Sequence, residues 1–344
     1  MVEINANFSI LAFGSFLELC NSGKQGNKCF SRRLDRAKLL QTLTQLPACN
    51  VVMGSCSTSH YWGRYCLQAG HQVQLIPAQH VTPFVRGNKN DKNDCMAIYE
   101  ASLRPNIRLV PVKTEHQQAI LALHRYRERL IHNRTACINQ TCGLLLEFGI
   151  VIKKNLKSFR ATIADLLNRN LHGALNLLLR DVYEEMQKLD ANIKNVEAQF
   201  KQFNEQSQAA QIIQSIPGIG IINASALSAT IDKGQAFSNK KELAVWLGIT
   251  PRQYASGETN KMGGITKRGD RYLRKQLIHG ARTVVNHAHK KQDDLNKWIN
   301  ALVERRGKNK AVVATAHRLA RLMWILLQRN EPYKAQYTQS EAQS

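Results

Sequence analysis

Asn50-Val-Val-Met-Gly-Ser-Cys-Ser-Thr-Ser59 is a short apolar run that stops at a glycine and enters a polar turn. A run of this length, bounded by turn residues, reads as a buried strand. A helix follows from about Ser59 to Ala69, and Gln72-Val-Gln-Leu-Ile-Pro77 supplies another strand. Upstream, Phe8-Ser-Ile-Leu-Ala-Phe13 and Phe16-Leu-Glu-Leu-Cys20 have strand composition, with Lys28-Cys-Phe-Ser-Arg32 as a third candidate. Arg36 to Leu46 carries Leu39, Leu40, Leu43 and Leu46 at helical spacing. Strands alternating with helices predict an α/β region, a sheet covered by helices.

Beyond it the pattern turns helical. Residues 115–148 carry Ile120, Leu123, Leu130, Cys137, Leu144 and Phe148 on a helical period. Residues 176–203 carry Leu189, Ile193, Val196, Phe200 and Phe203 at alternating steps of four and three, a heptad seam. The seam fits either a coiled-coil dimer contact or half of an intramolecular helical hairpin. Ser215-Ile-Pro-Gly-Ile-Gly220 interrupts the helices and opens a last region. That region reads as mainly helical around a polar, Gly-rich loop from Pro251 to Gly269. The expected divisions are 1–112, a helical region 113–206, a domain 207–330 and a polar tail 331–344.

The chain has 344 residues, 48 Lys and Arg against 25 Asp and Glu, and a net charge of +23. Such asymmetry argues against a generic metabolic enzyme and for a polyanionic partner. Residues 261–330 hold seventeen of the cations and four acids, which is more than half of the excess. Solvated helix faces usually mix signs, so this segment is expected to bind phosphates. No window of about twenty apolar residues exists, so no membrane partner is expected. None of the eight cysteines forms a Cys-x-x-Cys pair. A reduced, cytoplasmic protein without a zinc ribbon is expected.

Three motifs could carry chemistry. Pro217, Gly218 and Gly220 form a Gly-x-Gly turn between helices. Its backbone N–H groups could meet a phosphate, or the glycines could serve a plain turn. Asp91 and Asp94, at i and i+3, share a helix face and could hold Mg²⁺ together. They could equally be the acids of a helix start. Arg86 and Lys89 flank them with positive charge. Ser256 precedes a glycine in the polar loop, followed by Lys261, Lys267, Arg268, Arg271 and Arg274. A serine can attack a phosphodiester that cations hold, though most Ser-Gly pairs are only turns.

Several ordered stretches together resemble one family. They are Phe30-Ser-Arg-Arg-Leu34, Val51-Val-Met53 with Ser59-His-Tyr-Trp62, Leu75-Ile-Pro77, Val85-Arg-Gly-Asn-Lys-Asn-Asp-Lys-Asn-Asp94, and Asn139-Gln140 leading to Glu147-Phe-Gly149. Later come Ile216-Pro-Gly-Ile-Gly220, Leu243-Ala-Val-Trp-Leu-Gly248, Pro251-Arg-Gln253 and Ile265-Thr-Lys-Arg-Gly-Asp-Arg-Tyr-Leu-Arg274. The chain thus resembles the DEDD-type insertion-sequence transposases, which include a pilin-gene inversion recombinase and bridge-RNA-guided recombinases. The resemblance implies an α/β plus α architecture. A RuvC-like (RNase H-fold) domain, a coiled coil and a mainly helical transposase domain with a helix-hairpin-helix-like motif are expected. It implies four acids holding Mg²⁺, of which Asp91 and Asp94 match the last two, and Ser256 as the nucleophile. The implied partners are DNA, a structured guide RNA in guided members, and further copies in a homodimer or homotetramer.

Two acids of that pattern are missing. The first-strand region from Phe8 to Phe16 contains no Asp or Glu, and Gly54 stands where the second acid is expected. Two carboxylates balance only half the charge of a metal pair. A transposase with an impaired metal site is therefore expected, with a catalytically inactive nucleic-acid-binding relic as the alternative. The altered first stretch, about 25 residues, would also fit a damaged or mis-started reading frame.

Overall fold

The computed structural model describes residues 7–13, 16–22, 29–88, 90–153, 155–169, 171–257 and 259–335, with side chains from Leu34 onward other than that of Lys92. It divides into two compact units, 1–117 and 118–344.

The first unit is built on a five-stranded sheet. Its strands are β1 (Asn7–Phe13), β2 (Phe16–Ser22), β3 (Cys29–Leu34), β4 (Asn50–Gly54) and β5 (Gln72–Ile76). The order is β3-β2-β1-β4-β5. β2 runs antiparallel to β1 and β3, whereas β4 runs parallel to both β1 and β5. The helices are α1 (Arg36–Gln45), α2 (Ser59–Gln68), the single turn α3 (Ala78–Val81) and α4 (Asp91–Ser102). Strand alternation sends neighbouring side chains to opposite faces. Val51 and Met53 pack with Leu39 and Leu43 of α1 and Trp62 and Cys66 of α2. Val52 points the other way, into Ile76, Cys95, Ile98 and Ala101. The sheet is thus covered on both faces, and α4 owns the Val52 side.

The second unit is helical: α5 (Glu115–Leu146), α6 (Leu156–Leu167), α7 (Gly173–Gln206), α8 (Gln208–Gln214), α9 (Ile221–Ile231), α10 (Lys240–Trp246), α11 (Arg271–His287), α12 (Asp294–Arg306) and α13 (Lys308–Arg329). The heptad seam of α7 faces its own chain: Leu189 and Ile193 pack with Leu130, and Val196, Phe200 and Phe203 with Ile120. Arg127 bonds Glu197 at 2.6 Å and Arg134 bonds Asp190 at 2.9 Å, so α5 and α7 run antiparallel. Of the two expectations for the seam, the intramolecular hairpin is the one observed. Near its far end α6 adds Phe159, Ile163 and Leu166 to a core with Cys137, Leu179 and Met186. Helices α8 to α13 share a separate core around Leu319, Met323 and Leu326 of α13.

One buried polar side chain ties four of these helices together. His124 of α5 is 2% exposed and stacks on Phe200 of α7 at 3.9 Å, with the rings 10° from parallel. Its Nε2 lies 3.0 Å from Ser225 Oγ of α9, and its Nδ1 lies 2.9 Å from Tyr272 Oη of α11. Ser225 Oγ also donates to the Ile221 carbonyl at 2.9 Å. Its proton is thereby used, so Nε2–H donates to Ser225 and Tyr272 donates to Nδ1. A neutral imidazole satisfies every partner.

Burial, reinforced by Arg127, pushes His124 down to about 3. Unfolding returns it to an ordinary imidazole near ~6.5. Between those values the unfolded chain binds a proton that the folded chain does not. Its contribution to stability is full above about pH 6.5 and is lost as pH falls toward 3. In the first unit His60, held down to about 4 by burial and by Lys113 and Arg64, acts in the same direction. The urea midpoint of the second unit's transition should fall between about pH 7 and about pH 5. His124→Gln should lower the midpoint near neutrality and flatten that dependence; an unaltered slope would assign the titration to another group.

Candidate active site

The segment expected as a loop around Ser256 is a two-stranded ribbon, β6 (Pro251–Ser256) and β7 (Thr259–Ile265). Every residue of β6 is exposed. A strand pair with no buried face shows no apolar alternation, which is why its pattern reads as loop. Ser256 ends β6 opposite Thr259, and Gly257 turns the chain at φ +54°. Tyr254 stands directly opposite Lys261.

The chain leaves β7 through Lys267, Arg268 and Arg271, all three exposed. Backbone bonds hold this exit: Thr266 N–H donates to the Thr250 carbonyl at 2.9 Å and Lys267 N–H to that of Gly248 at 3.0 Å. Gly269 passes so close to the end of α10 that an added Cβ would lie 2.1 Å from the Trp246 carbonyl oxygen. Asp270 caps α11 through Oδ1, accepting from Tyr272 N–H at 2.7 Å and Leu273 N–H at 3.0 Å. Arg274, expected among the phosphate contacts, is half-buried. Its Nη1 donates to the carbonyls of Gly269 at 2.9 Å and Leu247 at 3.3 Å. That nitrogen braces the exit loop.

The Pro217–Gly220 turn joins α8 to α9. Gly218 has φ +80°, and a Cβ there would lie 2.6 Å from the Gly280 carbonyl oxygen of α11. Its lack of a side chain serves close packing on α11, and Gly218 also lines the cleft at the start of α9. Gly220 is different: it is the N-cap residue of α9, exposed, with open space before it. It edges a cleft of about 400 Å³ lined also by Asn223, Gln276, His279, Thr283 and Glu197. No local signal announces that lining, because it comes from α7, α9 and α11.

In the first unit, Asn90 caps α4 by accepting from Asn93 N–H at 2.8 Å. Asp91 is the first helical residue and is exposed, and Asp94 follows one turn on, half-buried. Arg86 is largely exposed and reaches Glu100 at 3.5 Å. Lys89 lies outside the described residues. Gly54 shares the α4-facing parity of Val52, and a Cβ there would lie 3.3 Å from Ile98 Cδ1. Ile98 is one turn beyond Asp94, so a side chain at position 54 would enter beside the acidic end of α4. The β1–β4 register runs to Ile10–Met53, and β4 ends one residue later at Gly54. Among the described residues, no three His, Cys, Asp or Glu side chains gather where they could hold a metal ion.

Comparison with known proteins gives two family matches, one to an IS110-type DEDD transposase model over residues 18–150 and one to the Transposase IS116/IS110/IS902 family over residues 210–296. A probable family 20 transposase of Pseudomonas aeruginosa is 39% identical, covering 88% of this chain and 91% of its own. The transposase for insertion sequence element IS1111A of Coxiella burnetii is 37% identical over 92% of this chain and 88% of its own. The transposase for insertion sequence element IS1328 of Yersinia enterocolitica is 36% identical, with 88% and 91% covered.

The chain belongs to the IS110 transposase family.

Family membership implies divalent-metal use by the DEDD acids. The described residues of this IS110-family chain do not fit such a pair of ions. Asp91 and Asp94 are two carboxylates on one face of α4, and Gly54 has no side chain to offer a ligand. Among the described residues, no helix is long and apolar enough to cross a membrane.

Gly218→Ala should be strongly destabilising. It combines a left-handed backbone with an overlap on the Gly280 carbonyl, and a loss of about 3 kcal/mol or more in denaturant unfolding is expected. Gly220→Ala, with open space around it, should cost below about 1 kcal/mol.

Proposed function

We propose that this chain is a serine transposase of an insertion sequence in which Ser256 attacks a DNA phosphodiester and the metal site is impaired. The observation that carries the reading is the placement of Ser256 at the exposed end of a ribbon, with Lys261 on the returning strand and Lys267, Arg268 and Arg271 on its exit. In the step proposed, Ser256 Oγ forms a bond to phosphorus as the bond to one bridging deoxyribose oxygen breaks. The serine proton goes to solvent and the leaving oxygen gains one. Charge builds on the non-bridging oxygens, and the four cations stabilise it. Among the described residues Asp91 and Asp94 would hold Mg²⁺, which would add to the same charge stabilisation when bound.

On this reading the first unit is RuvC-like, and its β3-β2-β1-β4-β5 order is in keeping with that. Gly220 at the start of α9 would offer N–H groups to a DNA phosphate as a helix-hairpin-helix turn does. The α5–α7 hairpin stands where the family carries a coiled coil. Copies of the chain would assemble as a dimer or tetramer, so that serine and acids meet from different subunits. A structured guide RNA would use the same basic surface. Gly54 favours a second reading, a nucleic-acid-binding relic that no longer cuts.

The test is a covalent trap with labelled element-junction DNA, any cognate RNA and Mg²⁺. A denaturation-resistant adduct with wild type, absent in Ser256→Ala, would establish the nucleophile; an adduct as abundant as in intact relatives would sink the impairment. No adduct with DNA still bound would favour the relic. Gly54→Glu should raise adduct yield at least about tenfold if the missing ligand is the defect.

A further inference from the structure

The face of the ribbon that carries Ser256 also carries an exposed aromatic ring. Directly opposed residues on paired strands share a face, and so do residues two apart on one strand. Tyr254 and Ser256 therefore lie on one face, about 7 Å apart along β6, with Lys261 opposite Tyr254 and Thr259 opposite Ser256. The Tyr254 ring lies over Gly263: a Cβ added there would come within 3.1 Å of its Cε2 and 3.7 Å of Arg252 Cβ. Bare backbone beneath the ring gives it a defined seat, and no core packs above it. Tyr254 is 58% exposed. A tyrosine held out on a fully exposed ribbon, between Arg252 and Lys261, gives up apolar burial that it would gain elsewhere.

Of the chemistries that cover an exposed ring flanked by cations, a nucleotide fits all the parts at once. The base stacks on the ring, and its phosphate meets Lys261 or Arg252. Such stacking tolerates any base, because every base has a π face. The neighbouring phosphate along the strand would then fall near Ser256, one side-chain repeat away.

We propose that Tyr254 is a positioning residue that stacks an unpaired nucleobase and so sets the adjoining phosphate before Ser256. The proposal rests on Ser256 as the nucleophile for its catalytic meaning, but stacking itself can be measured without any strand cleavage. Sequence need not be known, since stacking is base-tolerant. The probe is a short single-stranded DNA bearing one 2-aminopurine, whose emission is quenched by stacking.

The full-length chain should quench 2-aminopurine on binding, and Ser256→Ala should quench equally. Tyr254→Phe should retain the quench. Tyr254→Leu should lose it and bind the probe roughly tenfold to a hundredfold more weakly, with the salt dependence unchanged because the cations remain. Circular dichroism and the urea midpoint of Tyr254→Leu separate ring loss from ribbon loss, and Gly263→Ala, which displaces the ring without removing it, should weaken the quench in between. Equal quenching by wild type and Tyr254→Leu, or bound probe without quenching in wild type, overturns the proposal. The covalent trap run on the same variants reports on Ser256 separately: quenching without an adduct leaves stacking intact while removing the serine reading.

Discussion

A neutral imidazole buried among four helices is the constraint on which the second unit depends. His124 must both donate and accept, to Ser225 and from Tyr272, while its ring lies flat on Phe200. A charged histidine could not accept from Tyr272, and an apolar replacement would remove one hydrogen bond each from Ser225 and Tyr272, at about 0.5–1.5 kcal/mol apiece. The network fixes where α5, α7, α9 and α11 meet. Tyr272 is the second residue of α11, so the same bond anchors the helix start from which Arg271 projects and to which the ribbon's exit loop is braced. Arg127 with Glu197, and Lys275 with Glu128, repeat that connection in charge at the partly exposed edge.

Rigidity around this anchor has a consequence for the ribbon. Gly269 against the α10 end, Gly218 against Gly280, and Arg274 donating to two carbonyls leave the base of β6 and β7 little freedom. The ribbon itself is unsupported on both faces. An exposed two-stranded ribbon is marginal in isolation, so its lasting partner is whatever it binds. A basic, aromatic-bearing ribbon on a fixed base is suited to following a flexible strand while keeping its root in register.

The first unit shows a different economy. Both faces of its sheet are filled, with Val51 and Met53 toward α1 and α2 and Val52 toward α4. Those contacts do not depend on the side chain at position 54. A fold of this kind survives loss of an acid at a strand end, because ligands there stabilise a bound ion and not the core.

Sequence alone determined the strands, the covered sheet, the two long helices and the basic last region, because each of these writes a local period or a local charge excess. The Asn90–Asp94 helix start was equally legible, since capping is a contact between near neighbours. The family was legible too, because its motifs keep their order along the chain. Tertiary structure decided the rest. It chose the intramolecular hairpin for the α7 seam, since a heptad specifies an apolar stripe and not the identity of the partner that covers it. It turned Pro251–Gly269 from loop into ribbon, since a strand exposed on both faces has no periodicity to read. It gave Arg274 and Gly218 packing roles beside α10 and α11, and brought His124, Ser225 and Tyr272 together from three separate helices. Such meetings follow from how helices pack in space, and no spacing in the chain encodes them.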